Sequence, residues 1–219
     1  MTQDYELLFR QGTLSALRGD TADAIAAFES CRRLAPDSVA PVLPLLERYA
    51  AVGDARRADE VARELRRRWP DDPLVRLSLA RWDEEQGRAS EALELLRGGG
   101  VDLGPKGNAF PDYLRLLLVA GEVDAVLREA RAALESDSVW RADALLASAL
   151  AHLRVGDSRA ARDVLGRFDP DEYPDLIAFW KDRLYRTGVL PSFSRLLGDA
   201  SAANPGDIRL AALHRRLAT

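Results

Sequence analysis

Small and apolar residues recur along this chain three and four positions apart, the spacing that places side chains on one face of an α-helix. Ala24, Phe28 and Cys31 make one such face. Ala58, Ala62 and Leu65 make the next, Ala92 and Leu96 a third, and Val126, Ala130 and Ala133 a fourth. A second helical run precedes each: Leu8, Gly12 and Ser15; Leu45 and Tyr49; Leu79, Ala80 and Trp82; Tyr113 to Ala120. Between the paired runs stands a glycine, at Gly19, Gly53, Gly87 and Gly121, each 34 residues after the last. Ala24, Ala58 and Ala92 keep that interval, and so do Pro36 and Pro70. Such a period, with Gly, Ala and Pro at fixed offsets, predicts stacked helix–turn–helix repeats.

The later units are looser. Turns at Gly156 and Gly188 follow at intervals of 35 and 32. The fifth unit carries Leu145, Ser148 and Ala149, then Ala161, Leu165 and Phe168; the sixth carries Ile177, Trp180, Lys181 and Leu184, then Phe193, Leu197, Ala200 and Pro205. Two interruptions are expected. Pro41 and Pro44 make the first helix of unit two start late or bend. Gly98, Gly99 and Gly100 each cost roughly 1 kcal/mol relative to alanine in a helix, so the helix before them stops near Arg97. An irregular connection over 98–110 follows, read as a hinge or a projecting loop. The chain is thus expected to be one all-α, right-handed solenoid over 1–219. Repeats one to three span 5–97, degenerate repeats four to six span 111–207, and a polar capping helix spans 208–219. Arg209, His214, Arg215 and Arg216 suit an outer cap, because a terminal repeat has no neighbour to cover it.

The run "GDTADAIAAFESCRRLAPDS" resembles the second half of a tetratricopeptide (TPR) unit: turn glycine, small residue, aromatic, small residue, proline. The resemblance extends over nearly the whole chain, and it implies a protein-binding solenoid rather than an enzyme. In that family the first helix of each unit lines a concave groove. Carried over, the groove residues are Phe9 and Thr13; Leu43 and Glu47; Leu74, Leu77 and Arg81; Arg115, Leu118 and Val119; Leu146, Leu150 and Leu153; Asp182 and Tyr185. Leu77, Leu118 and Leu150 are expected to face inward together, with Arg81 and Arg115 ready to pair with acidic groups of a partner. Chaperone-tail binders of this family hold a terminal carboxylate with a lysine, asparagine and arginine clamp. Phe9, Thr13, Pro44, Leu74 and Ser78 stand at those places instead. The partner implied is therefore a protein with an apolar or amphipathic segment. Two alternatives stand beside it: the groove packs on the chain's own helices or termini, or one copy docks into another as a homo-oligomer.

Composition changes this picture little. The 219 residues carry a formal net charge of −4, and no apolar stretch reaches the ~20 residues of a membrane span. The first residues lack the basic and apolar segments of a secretory signal. Cys31 is the single cysteine, in keeping with a reducing, cytoplasmic setting. Twenty-nine arginines against two lysines, with abundant alanine, read as the composition of a GC-rich bacterial genome.

Candidate chemistry is sparse. His152, His214 and Cys31 are far apart in sequence and show no metal-ligand spacing, so no metal or cofactor is expected. Lys106-Gly107 inverts the order of a phosphate loop. Arg18-Gly19-Asp20 spells an adhesion tripeptide but sits on the repeat turn. Asp83-Glu84-Glu85, Asp169 and Asp171-Glu172 read as solvated carboxylates. Arg56, Arg63, Arg66, Arg67 and Arg68 form a basic stripe that nucleic acid could use. However, Arg56–Glu60, Asp59–Arg63 and Glu64–Arg68 are opposite charges one helical turn apart, and aromatic residues for base stacking are lacking. No small-molecule substrate is indicated.

Overall fold

The computed structural model describes residues 3–218. They form thirteen α-helices and no strand among the described residues. Two compact units divide the chain after Trp82.

The first unit holds α1 (Gln3–Arg18), α2 (Thr21–Leu34), α3 (Val42–Ala51), α4 (Ala55–Arg68) and most of α5 (Pro73–Glu85). Consecutive helices from α1 to α4 pack in order. The α1–α2 crossing is tight because Gly12 has no Cβ; one would lie 2.9 Å from Phe28 Cε1. Ala24 and Ala58 are fully buried, as a repeat crossing needs. Helix α3 begins only after Pro41 and has 10 residues, the late start that the two prolines predict. Asp54 caps α4 by accepting from the Arg57 N–H at 3.1 Å.

The second unit holds the last turn of α5, then α6 (Ala89–Arg97), α7 (Phe110–Ala120), α8 (Val123–Glu135), α9 (Arg141–Arg154), α10 (Ser158–Leu165), α11 (Pro174–Arg186), α12 (Leu190–Ala203) and α13 (Ile208–Ala218). Helix α6 stops at Arg97, before the three glycines. The connection to α7 is pinned. Trp140 Nε1 donates to the Gly107 carbonyl at 2.9 Å, and Ser138 Oγ donates to the Pro105 carbonyl. Ala109 is fully buried. The boundary between the compact units falls inside α5, not in this segment.

All six expected turn glycines have a left-handed backbone, with φ between 72° and 83°. Each closes its helix in the same way. Gly19 N–H donates to Ala16 O at 3.2 Å and Asp20 N–H to Ser15 O at 2.9 Å, and the same pair of bonds recurs at Gly53, Gly87, Gly121, Gly156 and Gly188. This is the Schellman ending, which needs a residue without a Cβ penalty at positive φ.

At the end of the chain α12 packs on α9, α11 and α13, and α13 packs on α10, α11 and α12. Helix α13 exposes Ile208 and Arg215, seven residues apart on one face, while Leu210, Leu213 and Leu217 are buried.

Candidate functional site

The twelve expected groove residues have different fates. In the second unit Arg115, Leu118, Leu146, Leu150 and Leu153 are buried, not open to a partner. The expectation of an open apolar groove is corrected there, and the reason lies in α9. That helix is enclosed by α7, α8, α10 and α12, and every residue from Asp143 to Ala151 is buried. A helix apolar all round is a core helix. Val119 is half-buried and Tyr185 is 71% exposed. In the first unit Leu77 is buried, Phe9, Leu43 and Arg81 are half-buried, and Leu74 is 57% exposed. Phe9 stacks on Tyr5 and meets Phe28 edge-on.

Helix α11 lies against the inner helices of its unit. Its Trp180 Nε1 donates to Asp143 Oδ1 on α9 at 2.9 Å. Phe179 and Trp180 face the Arg115 guanidinium on α7, at 5.1 and 5.9 Å from ring centre to Cζ. Arg183 pairs with Glu85, the last residue of α5, at 2.7 Å. One helix thus reaches the first helices of three earlier repeats, occupying the face that the family pattern assigns to a ligand.

A charged cluster sits beneath it. Arg115 binds Glu84 through Nε–Oε1 at 2.6 Å and Nη2–Oε2 at 2.7 Å, and Nη2 also reaches Asp112 Oδ1 at 2.6 Å. Asp83 and Glu84 are buried, so the reading of this acidic run as solvated is corrected; Arg88 pairs with Asp83 at 2.7 Å. Burial alone pulls the Arg115 pKa down, but the charges and hydrogen bonds of Glu84 and Asp112 hold it above its ordinary value. Arg115 Nη1 is buried with no hydrogen-bond acceptor, leaving the two aromatic faces as its neighbours. Nearby Asp143 is pushed upward by burial, against the opposing pull of the Trp180 hydrogen bond and of Arg115. Arg115 was expected to meet a partner's acids; its acids are internal. The cluster fastens α5, α7 and α11 together.

Clefts open on the surface of each unit. One of about 290 Å³ in the first unit is lined by Glu29, Arg32, Arg33, Tyr49, Arg57 and Glu60. Tyr49 Oη donates to Glu29 at 2.9 Å there, and Arg57 lies over the Tyr49 ring. In the second unit, about 260 Å³ lies between Arg131, Ser148, His152 and Arg167, and about 440 Å³ between Arg162 and the 204–209 turn. Cys31 is buried, its Sγ bonded to the Tyr5 carbonyl at 3.7 Å; burial raises its pKa, away from the reactive thiolate. No group of three or more His, Cys, Asp or Glu is placed to hold a metal among the described residues. The basic stripe of α4 is partly neutralised. Arg56 pairs with Glu60 at 2.6 Å, and Arg68 with Glu64 and Asp37, both at 2.8 Å. Arg63 bonds the Asp59 carbonyl rather than its carboxylate. No helix among the described residues is long and apolar enough to cross a membrane.

Comparison with known proteins agrees with this architecture. Residues 6–38 match the tetratricopeptide repeat family. No protein of curated function matches the chain in sequence. A tetratricopeptide repeat protein from Parabacteroides merdae is similar in structure, with a TM-score of 0.63 at 16% identity, covering 99% of this chain and 93% of that one. The APC/C hetero-tetramer Cut9-Hcn1 contains a chain with a TM-score of 0.61 at 14% identity; the match covers 98% of this chain and 43% of that longer one. At such identities the likeness is one of fold. The chain carries a tetratricopeptide repeat at its start and folds as tetratricopeptide-repeat proteins do.

Proposed function

We propose that this protein is a non-catalytic scaffold or adaptor that holds an apolar or amphipathic segment of a partner protein on the inner face of its first unit. The TPR fold generally mediates protein–protein interaction, and its members are typically scaffolds rather than enzymes. One observation carries the choice of surface: Phe9, Leu43 and Leu74 keep exposed area, whereas their counterparts Leu118, Leu146 and Leu150 are consumed by packing. Successive first helices α1, α3 and α5 carry the three open residues, the arrangement that reads an extended or helical peptide along its length. A cytoplasmic location belongs to the same reading.

The test is photo-crosslinking in the native host from benzoylphenylalanine placed at Leu43 or Leu74, with Tyr185 of the second unit as a control. A discrete adduct from both first-unit positions, lost on Leu43→Asp or Leu74→Asp with helicity unchanged, supports the reading. Adducts from the Tyr185 position alone would move the binding surface to α11.

A further inference from the structure

Helix α1 is apolar on two sides. One side, with Tyr5, Gly12 and part of Phe9, packs on α2. The opposite side carries Leu7, Leu14 and Leu17, which are 67%, 52% and 80% exposed. At 100° per residue Leu7 and Leu14 lie 20° apart, and Leu17 lies 60° beyond Leu14.

We propose that the exposed leucine stripe of α1 docks on the same stripe of a second copy, antiparallel, about a two-fold axis near Gln11. The charge pattern supports this occupant. The first turn of α1 is acidic, with Asp4, and its last turn is basic, with Arg18. Asp4, Gln11 and Arg18 lie seven residues apart along one flank of the stripe. A two-fold axis turns that flank onto itself, so Asp4 of each copy meets Arg18 of the other and the two Gln11 amides meet at the centre. Leu7 of each copy then faces Leu14 of the other, and antiparallel alignment sets the helix dipoles in opposition. Arg10 lies between Leu14 and Leu17 around the helix, so the two Arg10 side chains come near each other within the contact, each with Glu6 one helical turn away. Such an interface is isologous and closes at two copies. One helix pair buries less than the ~1,000 Å² of a stable interface, so the dimer is weak and concentration-dependent.

Sedimentation equilibrium of the full chain over a hundredfold range of concentration tests this. The expected result is a mass rising from 24.1 kDa toward twice that value. Leu14→Glu, and independently Leu17→Glu at the more exposed site, abolish the rise while circular dichroism stays unchanged. Arg18→Asp weakens association at low salt, and adding Asp4→Arg restores it. A constant monomer mass overturns the proposal, as does a dimer that survives both leucine variants. Association that the charge swap fails to restore overturns the antiparallel register. Either leucine variant that keeps its helicity suffices, and both sites are solvent-facing.

Discussion

Arg115 and Glu84 form a two-pronged ion pair in which neither side chain reaches solvent. Replacing one partner leaves the other charged and buried. Arg115→Met is therefore expected to cost about 3–5 kcal/mol in urea unfolding, whereas Arg115→Met with Glu84→Met recovers part of that loss. Equal stability of the two variants would show that the pair acts only through packing.

Asp143 gives a pH signature. Its carboxyl is raised by burial, so the unfolded chain gives up its proton at lower pH than the folded one. The stability tied to this group is fully present below the ordinary aspartate value of about 3.9 and is lost as pH climbs through the raised folded value. Asp143→Asn keeps an oxygen to accept the Trp180 N–H and removes the ionisation. The variant should gain on the wild type as pH rises from about 4 to 7. Urea midpoints measured across that range check this, and a gap independent of pH contradicts it.

Two glycines separate backbone strain from crowding. A Cβ at Gly53 meets nothing within 4 Å, but its φ is +72°. Gly53→Ala should cost about 1–2 kcal/mol, from the left-handed backbone alone. At Gly107 the backbone is unstrained, yet a Cβ would lie 2.1 Å from the Asp102 carbonyl oxygen. Gly107→Ala should force the 102–107 loop to move and lower the melting temperature more than Gly53→Ala does.

Trp140 is the anchor of the connection before α7. Trp140→Phe removes the donor to Gly107 O while keeping most of the ring. Limited proteolysis should then cut between residues 98 and 109 faster than in the wild type, with the helical content retained. Unchanged cleavage would mean that packing of Ala109 and Phe110 alone holds the segment.

Regularity decided what could be read in advance. The helix pairs, the six turns, the stop at Arg97 and the buried Ala24, Ala58 and Ala92 all follow from local rules: period, left-handed glycine, helix-breaking glycine and small residues at a crossing. The groove did not follow, because exposure depends on what else packs there. The family pattern places Leu146 and Leu150 on an inner face, but the run from Ala142 to Ala151 has polar residues only at Asp143 and Ser148. That composition was the available sign of a helix enclosed on all sides. Nothing local marks Glu84 as the partner of Arg115, 31 residues away; their pairing exists only once α5 and α7 stand side by side.

Because six helices end in the same pair of backbone bonds around a left-handed glycine, their junctions are interchangeable parts. A 34-residue segment cut from one turn glycine to the next begins and ends in the same conformation, whichever unit supplies it. The chain could gain or lose such a segment among its early repeats without inventing a new turn, and only the faces of the neighbouring helices would have to adapt. The late units no longer have that freedom. Once α11 reached back to Arg115 and Glu85, the spacing between α5, α7 and α11 became fixed, and the length of this half of the protein with it.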